Sequence, residues 1–130
     1  MKVAAIQMAS GPQVSANLSE AARHIGKAAA AGARLVVLPE NFAIMAQQDA
    51  DRLAAAERDG QGPIQEFLAA QARTHGVWLV GGTIPIKAND PKRVRAACLL
   101  FNDRGERAAR YDKIHLFDVR LDNGELYNES

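Results

Sequence analysis

A single cysteine, Cys98, in 130 residues excludes an internal disulfide, so the chain is no disulfide scaffold, and nothing in its cysteine usage speaks against a reducing compartment. An excess of one charge is also missing. Sixteen Lys and Arg stand against fifteen Asp and Glu, for a net charge of +1, and the densest basic group is Lys92-Arg93 with Arg95. That pattern argues against a nucleic-acid partner and against a membrane surface. No apolar run approaches the roughly 20 residues that a membrane span needs. Met1-Lys2 runs straight into a strand-like segment without the apolar stretch of a signal peptide, which makes the cytoplasm the expected compartment. Repeats, low-complexity tracts and interdomain linkers are absent. With 48% hydrophobic and 24% charged residues, the composition is that of one soluble domain able to bury a core.

Several familiar chemical motifs are missing too. Gly60-Gln61-Gly62 begins a G-x-G, but position 65 is Gln65 and the preceding segment reads as a polar helix, so the dinucleotide fingerprint fails. A nucleotide-binding α/β domain is disfavoured on that ground. Neither a phosphate-binding P-loop nor a G-x-S-x-G elbow occurs. His24, His75 and His115 lie far apart, with none four residues from another, which argues against a metal-binding helix. His75 reads as a helix-end residue favoured by the dipole, just before Gly76.

The hydrophobic period itself is informative. Residues 2–8 are short and β-rich and stop at the Ser10-Gly11-Pro12 turn signal. From Ser15 as N-cap, Leu18, Ala21, Ala22, Ile25, Ala28 and Ala29 fall at helical spacing, with Gly32 as the stop. Residues 34–38 predict a second strand and 49–58 a short helix. Pro63 opens another helix, running to Gly76. Residues 77–83, 94–101 and 107–113 predict three more strands, the last two joined by a hairpin turn at 102–106, and 87–92 is expected to be a loop excursion. A β-α-β-α-β opening followed by a hairpin implies an α/β layer fold with a mixed sheet.

Two charged residues emerge from the ends of these strands. Glu40 leaves the apolar run 35–38 immediately after Pro39, which ends the ladder, and reads either as a solvated turn residue or as a catalytic group. Lys113 ends the strand 107–113 in the same way, and alone it reads as a surface lysine snorkelling over the sheet. Sites in open α/β sheets assemble at strand ends, and a carboxylate beside an ammonium keeps both charged. In a dry cleft such a pair supplies a base and a fixed positive charge for a developing oxyanion. The expectation is that the charged atoms of Glu40 and Lys113 lie within about 4–6 Å of each other.

The segments LPENF (38–42) and YDKIHLFD (111–118), with KVAAIQM (2–8), resemble the nitrilase superfamily of carbon–nitrogen hydrolases. GGTIP (81–85), RAACLLFNDRGE (95–106) and NES (128–130) are most similar to its Nit-type amidases, and the likeness runs through the entire chain. The resemblance implies a four-layer α-β-β-α sandwich, of which this chain is an incomplete half with a mixed sheet. It also implies Glu40 as general base, Lys113 as the cation that stabilises the tetrahedral intermediate, and Glu129 as a further glutamate that positions lysine and substrate. The implied substrate is a small non-peptide carboxamide, with no metal or organic cofactor. Family members commonly associate through sheet-extending interfaces, so a homo-oligomer is expected of the complete protein.

One part of that pattern is not found. The family nucleophile is a cysteine on a strand-to-helix turn well beyond the lysine segment, and residues 1–130 are expected to form a carbon–nitrogen hydrolase domain truncated before it. Cys98 lies in mid-strand and reads as a buried small hydrophobe. Two function classes follow. The first is an amidase that works through a cysteine thioester. The second is a catalytically inactive remnant that acts at most as a binding partner.

Overall fold

A computed structural model of the chain describes residues 1–114 and, further on, the backbone of two short strands. The elements run β1 (Lys2–Ala5), α1 (Val14–Ala30), β2 (Ala33–Val37), α2 (Asp49–Ala55), α3 (Pro63–His75), β3 (Trp78–Val80), β4 (Ile84–Lys87), β5 (Val94–Phe101) and β6 (Arg107–Asp112). The strands β7 (Asp118–Arg120) and β8 (Leu126–Asn128) pair antiparallel as a separate ribbon.

The main sheet is mixed, as the periodicity implies. β1, β2 and β3 are parallel neighbours, and β5 runs antiparallel to β3. Ala97 of β5 pairs with Ile84 of β4 and also with Asp112 of β6, so β4 and β6 occupy opposite edges of β5. β3 and β4 therefore lie end to end along one edge. α1 and α3 cover one face and touch each other, α1 meeting β2 and α3 meeting β3 and β5. Period-2 alternation sends Val36, Leu79, Ala97, Leu99 and Phe101 beneath them, where they join Ala21, Ile25, Leu68 and Ala72 in one core cluster. Truncating Leu68, Leu79 or Leu99, each fully buried, to Ala costs about 2–5 kcal/mol.

The opposite face has no such cover among the described residues. Leu35, Val37, Val80, Cys98 and Leu100 are half-buried there, and Val3, Trp78 and Tyr111 are 52%, 41% and 59% exposed. One helix layer and one sheet of the α-β-β-α arrangement are thus in place.

Three local expectations are corrected. Ser15 is not an N-cap: α1 begins at Val14 behind the extended Gln13, which makes no side-chain cap. Val14 packs against the core, and burying it draws the helix start forward. The strand expected over 77–83 is confined to Trp78–Val80, because Gly82 adopts a left-handed φ of 59° that ends the ladder, and β4, which the periodicity did not predict, begins just after it at Ile84. α2 stops at Ala55, since Glu57 leaves it to bridge Ile86. Its amide donates to the Pro85 carbonyl at 3.1 Å, and its carbonyl accepts from the Lys87 amide at 2.8 Å.

Candidate active site

Glu40 and Lys113, 73 residues apart in sequence, meet in a direct bond: Lys113 Nζ donates to Glu40 Oε1 at 2.8 Å. The sheet explains how. β2 and β6 point the same way with β3 and β5 between them, so their C-terminal ends share one end of the sheet, three strand spacings or roughly 14 Å apart. Both strands are prolonged by one bond, from Leu38 N to Val80 O and from Lys113 N to Ala96 O, each 2.9 Å. Segment 38–41 then passes over the break between β3 and β4. The carbonyl of Pro39 lies against Gly82, where any Cβ would sit only 2.0 Å from that oxygen. Glycine is therefore needed twice at position 82, once for its φ and once for the crossing.

The loop that carries Glu40 is held along its length. Asn41 has φ 55°, and its amide donates to Thr83 Oγ1 at 2.9 Å. Phe42 is fully buried and tilts against Phe67, and its carbonyl accepts from the Ser10 hydroxyl at 2.7 Å. Asn17, buried in α1, donates to the carbonyls of Ala43 and Gly11, both at 2.8 Å, and accepts from the Gly11 amide at 2.9 Å. One side chain thus ties the 10–11 turn to the loop after Glu40. Its sequence signal is a polar residue on the apolar stripe of Val14, Leu18 and Ala21.

The Glu40 side chain is 54% exposed and that of Lys113 28%. An ion pair this open contributes about 0–1 kcal/mol to stability, so holding the fold together does not account for it. What it supplies is an acceptor and a cation at hydrogen-bond distance on the mouth of the sheet. Glu129 and His115 lie outside the described residues.

Cys98 pairs with Tyr111 and sits two residues along β5 from Ala96, whose carbonyl anchors Lys113. Alternation puts Cys98 on the same side of the sheet as Ala96. Burial pushes the Cys98 thiol up, opposite to what a nucleophilic thiolate needs.

Glu57 and Gln65, both buried, escaped the sequence reading. The Glu57 carboxylate accepts from the amides of Ile64 and Gln65, at 2.6 and 3.1 Å, and so caps α3 from outside its own N-cap residue, Gly62. The Gln65 side chain donates to Glu57 and to the carbonyls of Arg58 and Gln61 and accepts from the Gly60 amide, binding the whole 57–65 turn. Along β6, Asp59 pairs with Arg107 and Arg110, and Arg110 pairs with Asp112 at 2.7 Å. The Arg107 guanidinium beside Asp59 holds its carboxyl below the usual carboxylate range. Among the described residues, no group of three or more His, Cys, Asp or Glu is arranged to hold a metal.

The chain as a whole is similar to known proteins. The carbon–nitrogen hydrolase family profile matches residues 2–130. The chain is 38% identical over 130 residues to a deaminated glutathione amidase of Yersinia enterocolitica, covering 98% of this chain and 45% of that protein. It is 36% identical to an omega-amidase of Saccharomyces cerevisiae, over 100% of this chain and 46% of that protein. The crystal structure of the Caenorhabditis elegans NitFhit protein superposes with a TM-score of 0.83 at 26% identity, covering 98% of this chain and 31% of that one. The chain spans less than half the length of these relatives.

Proposed function

The chain belongs to the carbon–nitrogen hydrolase family, and from that premise we propose that it carries the base and the cation of an amidase site that cleaves a small carboxamide to carboxylate and ammonia. The observation that carries this reading is the 2.8 Å bond between Glu40 and Lys113, made by two loops that share no sequence proximity and that the fold goes to some length to cross.

An amide carbon is a poor electrophile, so the reaction needs a thiolate and a fixed donor for the oxygen that gathers charge. Glu40 takes the proton of a cysteine thiol as the sulfur attacks the carbonyl carbon. Lys113 Nζ faces the developing oxyanion. When the C–N bond breaks, Glu40 returns its proton to the leaving nitrogen, releasing ammonia and a thioester. Water then repeats the cycle: Glu40 removes its proton, hydroxide adds to the thioester, and the thiol is regenerated as the carboxylate leaves. Glu129 is the third member and the second glutamate, keeping lysine and substrate in register. The thiol comes from a segment outside residues 1–130, because Cys98 is a packed strand residue with a raised thiol. None of these steps calls for a metal or organic cofactor.

The substrate class we assign is an ω-carboxamide on a small carboxylic acid, in line with the deaminated glutathione amidase and omega-amidase relatives. We place the working enzyme in the cytoplasm as a homo-oligomer. No helix of the described residues is long and apolar enough to cross a membrane. The second reading, a non-catalytic chain that binds a partner, draws on the exposed apolar residues Val3, Trp78 and Tyr111. Ammonia release from a panel of small carboxamides separates the two. The whole protein hydrolyses at least one of them, and Glu40→Gln lowers kcat by about 10²–10⁴-fold, the usual contribution of a general base. A whole protein inert to the entire panel, or a fully active Glu40→Gln variant, overturns the amidase reading.

A further inference from the structure

We propose that Thr83 is a positioning residue for the base Glu40, acting through the backbone of Asn41 rather than on the substrate. The catalytic half of this inference rests on the amidase reading above; the structural half stands without it.

Asn41 is the only non-glycine residue with positive φ among the described residues. A left-handed turn is disfavoured for an L-residue and persists where its surroundings over-determine it. Here the over-determination can be named. The Asn41 amide, which shares a peptide plane with the Glu40 carbonyl, donates to Thr83 Oγ1 at 2.9 Å, and the Thr83 hydroxyl lies 3.5 Å from Asn41 Oδ1 as a longer return contact. One residue before Glu40, the Pro39 carbonyl is pressed against Gly82. The two peptides that flank Glu40 are therefore gripped by neighbouring residues of a single segment, Gly82 by shape and Thr83 by hydrogen bonding. Both grips are long-range contacts: Asn41 and Thr83 are 42 residues apart.

The consequence is directional. Glu40 is 54% exposed, so among the described residues packing does little to aim its side chain. Its Cα–Cβ direction is set by the path of the backbone on either side, and releasing the Glu40–Asn41 peptide from Thr83 frees the 39–42 turn to shift and carry the carboxylate off Lys113. A misplacement of about 1 Å in a reacting group can cost about 10²-fold in rate. Among the described residues, the hydroxyl of Thr83 is the side-chain group bonded to that peptide's N–H.

The test compares Thr83→Val, Thr83→Ala and Thr83→Ser in the whole protein, by carboxamide kinetics and by hydrogen exchange at the Asn41 amide. Thr83→Val keeps the shape without the acceptor, Thr83→Ala removes any question of crowding, and Thr83→Ser keeps the acceptor. The expected result is a kcat lowered about 10–100-fold in Val and Ala with KM changed less than about threefold, and restoration by Ser to within about threefold. The Asn41 amide is protected in wild type and Ser, and exchanges at least about tenfold faster in whichever of Val and Ala folds. An unchanged kcat in both, an effect on KM alone, or an Asn41 amide equally protected in all variants overturns the proposal. A wild-type protein without amidase activity defeats the functional reading instead, and the exchange measurement then still decides whether Thr83 holds the turn.

Discussion

Replacing Glu57 with Ala tests how the molecule seats the helix on which its active end rests. Glu57 is 6% exposed and accepts two α3 amides, Ile64 N at 2.6 Å and Gln65 N at 3.1 Å, together with the Gln65 side-chain amide at 3.1 Å. Hydrogen bonds to a charged acceptor contribute about 1.5–3 kcal/mol each, and losing a helix cap costs about 0.5–2 kcal/mol. The contributions do not add, because truncation also relieves the cost of burying a carboxylate and opens room for water. The net expectation is a loss of about 2–4 kcal/mol, with Glu57→Gln at about 1–2 kcal/mol because one oxygen still accepts. The effect reaches the site through packing: Leu68 of α3 lies so close to Gly81 that a Cβ there would come within 2.8 Å of its methyl, and Gly82 is the next residue. The assay is urea unfolding of wild type and variants at one fixed protein concentration, with hydrogen exchange of the α3 amides as the local readout. A change below about 0.5 kcal/mol, the level of a neutral surface substitution, refutes the capping argument.

On the proposed amidase reading, Cys98→Ala in the whole protein leaves turnover intact and costs at most about 1 kcal/mol for one half-buried sulfur; abolished turnover in a folded variant makes Cys98 the nucleophile instead. Asp59 has its folded-state carboxyl held below the ordinary value, chiefly by the Arg107 bond, so its stabilising contribution is present above the unfolded Asp value and disappears as pH falls through the lower folded one. Wild type should therefore be more thermostable than Asp59→Asn at pH 7 by a small margin, about 0–1 kcal/mol, and the gap should close on acidification below about pH 4; a gap independent of pH refutes the ion-pair account. Residues 1–130 by themselves release no ammonia from carboxamides and self-associate through the apolar face of Val3, Trp78 and Tyr111, as read by sizing chromatography. A monodisperse, active monomer contradicts both halves of that expectation.

The α/β class, the helix opening at Pro63, the strand 94–101 and the turn at 102–106 were legible because each is written within a few neighbouring residues as a period, a proline or a turn signal. The same local grammar placed Glu40 and Lys113 at the ends of their strands. Their meeting, however, depends on β3 and β5 lying between β2 and β6 with all the right directions, a matter of long-range pairing. Where the chain was misread, a distant partner had overruled a local preference. The apolar run 77–80 does not announce that Gly82 must turn left-handed to let Pro39 cross it. Nor does an Ala-rich stretch reveal that Glu57 leaves the helix to bridge Ile86 and cap α3. Asn17 and Thr83 look like ordinary polar residues in sequence, since a hydrogen-bonding side chain acquires a specific role only when folding brings an unpaired backbone group to it. Local chemistry thus specified the elements and the two charges, and only the tertiary structure decided which backbone each polar side chain would hold and so which way Glu40 would face.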